Sequence, residues 1–168
     1  MNPCVFLDRD GVINKDYPNY VYKVSRFEIL EGVTQSLAKL KESGFLLIVI
    51  TNQSGISLGI YTIEDMRSCH AYLQKKCGNL IDHFYFSPYH PSVTNSLSRK
   101  PKTLLFEKAI SKYQIDVHSS WMIGDRERDL IPAKELKIKT IKVGNGESTT
   151  YADYQANDLV KATQIILQ

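Results

Sequence analysis

Short apolar runs alternate along this chain with amphipathic segments, and this alternation limits the possible folds more than any other feature. Cys4 to Leu7 and residues 45–50 are apolar without a polar interruption, whereas Val33 to Glu42 carries its apolar residues on one helical face. Strands of this composition are typical of a parallel sheet with helices on both faces. We therefore predict a three-layer α/β/α sandwich with a mostly parallel central sheet.

The other elements are predicted from apolar periodicity and from capping residues. Thr62 can cap a helix over residues 63 to about 77, because Asp65 stands three positions further on. Pro101 suits the first turn of a helix that ends near Tyr113. Further strands are predicted at residues 83–86, 121–123 and 140–143, and further helices at residues 130–136 and 159–167.

Length and composition narrow the class of protein. With 168 residues, 43% of them hydrophobic, and a net charge of +3, we expect a single domain over residues 1–168. No apolar run reaches the ~18 residues of a membrane helix, and no block of like charge points to nucleic acid. We expect a cytoplasmic protein, a monomer or small homo-oligomer, with neither nucleic acid nor a membrane as partner. The three cysteines have no zinc or disulfide spacing.

Acidic and hydroxyl residues follow three of the predicted strands. Asp8 and Asp10 stand in D-R-D-G after the first strand, and two positions apart in extended backbone their side chains share a direction. Thr51 and Asp125 follow two later strands. A lone D-x-D-G fits a polar turn equally well. Because parallel sheets bind ligands beyond the carboxyl ends of their strands, we expect these residues to converge on one site.

The order of these motifs resembles the haloacid dehalogenase superfamily of phosphohydrolases along nearly the whole chain. The residues that carry the resemblance are Asp8 and Asp10, then Thr51, then Lys100 in R-K-P, then Asp125 in G-D-R-E-R-D. The longer strings FLDRDGVIN, TNQSGI, RKP and IGDRERD are similar to the heptose bisphosphate phosphatase and histidinol-phosphatase subgroup. Only about forty residues separate Asp10 from Thr51, and a similar number separate Thr51 from Lys100, which leaves no room for a separate cap domain.

The resemblance implies an Mg²⁺-dependent phosphomonoester hydrolase that forms an aspartyl-phosphate. Asp8 would attack phosphorus, and Asp10 would protonate the leaving group and later activate water. Thr51 and Lys100 would hold phosphoryl oxygens. The implied Mg²⁺ ligands are the carboxylates of Asp8 and Asp125 and the backbone carbonyl of Asp10. For Asp129, orientation of the site and a plain helix-start carboxylate both remain open.

The resemblance also implies a small phosphorylated metabolite as substrate. D-glycero-D-manno-heptose 1,7-bisphosphate is favoured, with histidinol phosphate and other sugar phosphates as alternatives. Residues Tyr17 to Tyr22 would form a flap, and Arg9, Lys15, Arg99, Arg126 and Arg128 would rim the site and hold a distal phosphate. The implied substrate-binding residues are Asp16, Tyr17, Pro18, Asn19, Thr51, Asn52, Gln53, Ser54, Arg99, Lys100 and Arg126.

The loop before R-K-P departs from the subgroup, whose members typically hold a structural zinc there. The matching positions are Ser87, Tyr89, Ser96 and Ser98, and hydroxyl groups are poor zinc ligands. We therefore expect no zinc, a loop held by hydrogen bonds, and a solvated His90. A phosphorylated receiver domain is a distant alternative for the whole chain, although Asp10 indicates turnover.

Overall fold

The computed structural model describes residues 1–146 and 149–168, and its centre is a six-stranded sheet in which every neighbouring pair is parallel. The strand order is β3-β2-β1-β4-β5-β6. This arrangement confirms the predicted parallel sheet. The strands are β1 (Cys4–Leu7), β2 (Leu46–Asn52), β3 (His83–Ser87), β4 (Trp121–Gly124), β5 (Lys139–Val143) and β6 (Tyr154–Ala156).

Helices cover both faces of the sheet and complete the predicted three layers. Alternate residues of β1 point to opposite faces, so Val5 lies in one buried apolar cluster with residues of α1, α2 and α5, while Phe6 lies in the other with residues of α3 and α4. The helices are α1 (Val33–Glu42), α2 (Ile63–Lys76), α3 (Leu104–Tyr113), α4 (Glu127–Glu135) and α5 (Leu159–Ile166), with short 3-10 turns at Val24–Arg26 and Val117–Ser119.

Two predicted helix starts are wrong. Pro101 does not open α3, because residues 100–103 form turns closed by the bond from the Lys102 amide to the Arg99 carbonyl. Helix α4 begins at Glu127 rather than at Leu130. Its first turn is polar, so apolar periodicity does not indicate it. The short strand β6 was not predicted, because two of its three residues are exposed.

Few elements lie between the motifs in the described structure. Between β1 and β2 the described structure holds one 3-10 turn and α1, and between β2 and α3 it holds α2 and β3. No helix in residues 1–146 or 149–168 has the length and apolar character needed to cross a membrane.

Two glycines bring the strand ends close together. Gly11 has φ +87°, and a Cβ atom there would lie 2.5 Å from Oδ2 of Asp125. At Gly124 a Cβ atom would lie 2.4 Å from Cβ of Asp129. The turn after β1 can therefore approach Asp125, and α4 can begin close to the end of β4, only because these positions carry no side chain. This approach places the acidic residues of the two segments in one site.

Candidate active site

A cavity of about 420 Å³ lies at the carboxyl ends of the central strands. Asp8 and Asp10, which follow β1, and Thr51, at the end of β2, line it together. The strand-end rule therefore predicted the position of the site correctly. The predicted substrate-binding residues that also line the cavity are Asp16, Tyr17, Pro18, Asn52, Gln53, Ser54, Arg99 and Arg126.

Lys100 lies beneath the cavity rather than in its wall, and only 1% of its surface is exposed. Its ammonium donates to Oδ1 of Asp8 at 2.9 Å and to the carbonyl of Ile50 at 2.6 Å, and it pairs with Oδ1 of Asp129 at 2.8 Å. These two hydrogen bonds and the ion pair hold the ammonium against Asp8 and Asp129 and partly neutralise both carboxylates.

A third carboxylate, that of Asp125, lies close to the two that contact this ammonium. Oxygen atoms of Asp8, Asp125 and Asp129 all lie within 4.8 Å of one another. Burial, followed by the charge of Asp129, raises the pKa of Asp8 to about 7. The same two causes raise the pKa of Asp125 to about 6. A cluster with this excess of negative charge favours protons or a cation.

Asp129 has two partners, and they answer the question that its sequence position left open. Its Oδ2 accepts a hydrogen bond from the backbone N–H of Arg126, which caps the first turn of α4. Its Oδ1 pairs with Lys100. Both roles considered for Asp129 are therefore compatible: it starts the helix and it orients the lysine that holds Asp8.

Asp10 faces the cavity from a different side, with its carboxylate turned to neutral amides and to one arginine. Gln53 donates from Nε2 both to Oδ2 of Asp10 at 3.0 Å and to Oγ1 of Thr51 at 2.9 Å. Asn14 donates to Oδ1 of Asp10 at 2.9 Å, and the hydroxyl of Tyr61 donates to Oε1 of Gln53 at 2.7 Å. Asp10, Gln53 and Thr51 thus form one fixed polar wall. Tyr61 belongs to no motif of the sequence, and Asn14 ends the string FLDRDGVIN, where its residue type alone indicates no role.

The outer part of the cavity is basic. Arg99, Arg126 and Arg128 line it together with His90. Arg126 pairs with Asp16 at 2.8 Å, which ties the segment after β1 to α4. Among the described residues nothing hydrogen-bonds to the buried Nε atom of Arg128. Burial, and then the positive charge of Arg128, lowers the pKa of Arg99.

Besides Lys100, three of the residues expected at the cavity, Arg9, Lys15 and Asn19, do not line it, and neither does Asp125. Arg9 is completely buried, so it cannot rim an open site. Lys15 is exposed and lies near Glu28, with Nζ 3.7 Å from Oε2. Asn19 is exposed, and the lining residues around it are Tyr17, Pro18, Tyr20 and Val21. His90, expected in solvent, is half-buried and lines the cavity.

The flap is held by aromatic packing. The ring of Tyr22 stacks on Tyr61 with centroids 4.9 Å apart, and Tyr20 packs on the same ring at 5.8 Å. Because Tyr61 also bonds Gln53, the flap and the polar wall share one support.

Serine hydroxyls hold the loop between β3 and α3. Oγ of Ser98 lies 2.9 Å from Oγ of Ser87 and 2.9 Å from Oγ of Ser96. Arg99 donates to the carbonyl of Tyr89 at 3.1 Å. Three of the four positions considered for zinc ligands therefore meet in a hydrogen-bonded cluster. The expectation that hydrogen bonds hold this loop is confirmed.

Comparison with known proteins supports the assignment that the motifs suggested. The HAD-hydrolase-like family model matches residues 97–165. A protein of Helicobacter pylori named D-glycero-beta-D-manno-heptose-1,7-bisphosphate 7-phosphatase is 36% identical over 171 residues, covering 98% of both chains. A protein of the same name from Haemophilus ducreyi is 34% identical over 94% of this chain and 91% of its own.

The fold agrees with a solved relative. The crystal structure of D,D-heptose 1,7-bisphosphate phosphatase from B. bronchiseptica, complexed with magnesium and phosphate, superposes with a TM-score of 0.90. It is 24% identical and covers 99% of this chain and 98% of its own. At this identity the match shows the shared fold.

Proposed function

The chain belongs to the haloacid dehalogenase-like phosphatases, and on that premise we propose that it removes one phosphate from D-glycero-D-manno-heptose 1,7-bisphosphate through an aspartyl-phosphate on Asp8. The observation that carries the proposal is one cavity that Asp8, Asp10 and three arginines line together, with Asp125 and Asp129 close to Asp8. The carboxylates suit attack on one phosphate, and the arginines suit recognition of another.

The carboxylate cluster fits a hard divalent cation. The Oδ1 atom of Asp125 is buried, and within the described ranges of the chain it accepts no hydrogen bond. Oδ1 of Asp8 accepts from Lys100 and, as a carboxylate oxygen, keeps a second lone pair for the ion, so the other oxygen of Asp8 stays available. Oxygen ligands of this kind are those that Mg²⁺ prefers. Asp8 and Asp125 would hold the ion, and when bound it would offset the repulsion between the attacking carboxylate and the phosphate.

The residues divide the chemistry in a definite way. Lys100 fixes Oδ1 of Asp8, so the other carboxylate oxygen is the one available to attack phosphorus in line. The bond from phosphorus to the leaving oxygen breaks, and Asp10 gives that oxygen a proton. Asp10 then takes a proton from the water that attacks the phosphoaspartate, and phosphate leaves with Asp8 restored. The Thr51 hydroxyl, which accepts from Gln53, retains its own hydrogen for a phosphoryl oxygen.

The basic mouth favours a bisphosphate over histidinol phosphate. Arg99 and Arg128 line the same cavity, and burial, followed by the positive charge of Arg128, lowers the pKa of Arg99. Guanidinium groups bind phosphate oxygens in pairs. Histidinol phosphate carries an ammonium group, which two arginines would repel. A second phosphate would relieve the repulsion instead.

A panel of phosphate esters tests the proposal. We expect Mg²⁺-dependent phosphate release with kcat/KM at least about a hundredfold higher for one anomer of the heptose bisphosphate than for histidinol phosphate or fructose 1,6-bisphosphate, which corresponds to roughly 2.7 kcal/mol of selective binding. Arg128→Met should raise KM for the bisphosphate about tenfold or more, as expected for a lost charged hydrogen bond, and leave KM for the heptose 7-phosphate unchanged.

Two outcomes would contradict the proposal. Equal values of kcat/KM for all esters would refute the heptose substrate while leaving the phosphatase chemistry in place. An equal effect of Arg128→Met on the bisphosphate and the monophosphate would refute the second phosphate site. Lys142→Met, on β5 outside the cavity lining, is the control for loss of positive charge.

A further inference from the structure

Arg9 stands between the two aspartates of the first motif, yet the chemistry described above does not use it. Its side chain is 0% exposed and is not part of the cavity lining. Burying an arginine is costly unless its charge and its hydrogen bonds are matched. The groups that accept hydrogen bonds from Arg9 therefore indicate what its side chain does.

Most of these contacts are made to Asp10. Nη2 of Arg9 donates to Oδ1 at 2.9 Å and to Oδ2 at 3.0 Å, and Nε donates to Oδ1 at 3.2 Å. The same Nη2 also donates to the carbonyl of Val21 at 2.8 Å. Val21 lines the cavity as part of the flap, so one guanidinium connects the flap backbone to the carboxylate of Asp10.

His70 on α2 lies behind the guanidinium. Its Nε2 is 3.4 Å from Nη1 of Arg9, and its ring stacks on Phe84 with centroids 4.4 Å apart. The ring is 7% exposed. Burial, and then the charge of Arg9, lowers the pKa of His70 to about 3. The imidazole is therefore neutral at ordinary pH, and a neutral ring can accept a hydrogen bond from the arginine, whereas an imidazolium could only repel it.

We infer that Arg9, supported by His70, is a positioning residue that holds the carboxylate of Asp10 in the orientation needed for proton transfer to the leaving group. Because Arg9 and Gln53 both donate hydrogen bonds to the carboxylate of Asp10, its rotation is restricted before substrate binds. This inference rests on the proposed function, because it concerns Asp10 only as the general acid of that reaction.

The leaving group of the substrate separates this role from a merely structural one. An alkyl phosphate releases an alkoxide, which needs a proton from Asp10, whereas p-nitrophenyl phosphate releases a stable phenolate, which does not. The ratio kcat/KM covers the steps up to departure of the leaving group, so hydrolysis of the phosphoaspartate does not enter it. General misfolding of the site would lower kcat/KM for both esters by the same factor.

The experiment compares Arg9→Met with the wild-type enzyme on the heptose 7-phosphate and on p-nitrophenyl phosphate. We expect kcat/KM to fall about a hundredfold for the alkyl ester and less than about fivefold for the aryl ester, because general acid catalysis is worth at least the former factor. Arg9→Lys should recover part of the alkyl activity, since an ammonium keeps the charge but not the planar fork.

A second variant keeps the test decisive if Arg9→Met fails to fold. His70→Phe retains an aromatic ring against Phe84 and removes the acceptor for Arg9. This variant should lower kcat/KM about threefold to tenfold for the alkyl ester alone, because the loss of one hydrogen bond has an effect of that size. Thr163→Val removes a buried hydroxyl of α5 outside this network and is the matched control, with both esters unaffected.

The failures of the inference and of the proposed function are distinguishable. If the wild-type enzyme hydrolyses both esters and Arg9→Met loses the same factor on each, the positioning role is refuted and the phosphatase stands. Equal losses in His70→Phe refute the support from His70. If the wild-type enzyme hydrolyses neither ester, the proposed function fails together with the inference.

Discussion

Replacing the nucleophile should abolish turnover and at the same time make the metal-free protein more stable. Asp8 is 4% exposed and lies in a cluster with Asp125 and Asp129 that one lysine neutralises only in part. Ionising Asp8 in the folded state is therefore unfavourable. Asp8→Asn removes that charge and keeps the shape of the side chain.

The magnitude is obtained from the pKa of Asp8. Its rise from 3.8 to about 7 corresponds to about 4 kcal/mol at about 1.36 kcal/mol per tenfold change in proton binding. This shift already includes the attraction of Lys100, so a gain on the order of 4 kcal/mol is expected at pH 8. The sign follows from proton binding: between pH 3.8 and about 7 the folded state holds more protons than the unfolded state, so the stability of the wild-type protein falls as the pH rises.

Urea denaturation in the presence of a chelator measures this effect. The free energy of unfolding of Asp8→Asn should exceed that of the wild-type protein at pH 8, and the difference should shrink as the pH is lowered to 5. Asp116→Asn is the control, because a hydrogen bond from the Ser119 hydroxyl lowers the pKa of Asp116 and its neutralisation gives no such gain. An Asp8→Asn protein that is no more stable than the wild type at pH 8, or whose advantage does not depend on pH, would refute the reasoning.

Three further substitutions test other parts of the site. Asp10→Asn should slow both phosphorylation and dephosphorylation by roughly 10² to 10⁴, measured in single-turnover and steady-state assays. Asp129→Asn should weaken Mg²⁺ binding roughly tenfold to a hundredfold in a calorimetric titration, because it releases the lysine that orients Asp8. His70→Gln should reduce the loss of stability that occurs as the pH falls below 6.5. The pKa of His70 is about 3 in the folded state, so the unfolded state binds a proton first. The free energy of unfolding of the wild-type protein therefore falls by up to about 1.4 kcal/mol per pH unit, and that of the variant falls less.

The sheet and the position of the site could be predicted because each depends on a local signal. Apolar runs mark β1, β2 and β4, and the polar residues directly after them must meet at one edge of a parallel sheet. The start of α4 could not be found in this way, since its first turn is polar and is capped by Asp129. The contacts of the Lys100 ammonium lie on separate segments, so its position beside Asp8 and Asp129 depends on tertiary packing. The position of Arg9 could not be predicted either. Its charge predicts an exposed side chain at the rim of the site, whereas the side chain is buried and bonded to Asp10.

The covalent intermediate is the central claim, and the stereochemistry at phosphorus tests it most directly. An isotopically chiral phosphate ester is hydrolysed in isotopically labelled water, and the configuration of the released phosphate is determined. Attack by Asp8 followed by attack of water gives two in-line displacements, so the account predicts overall retention of configuration. Overall inversion would mean that water attacks the substrate directly and would contradict the role assigned to Asp8.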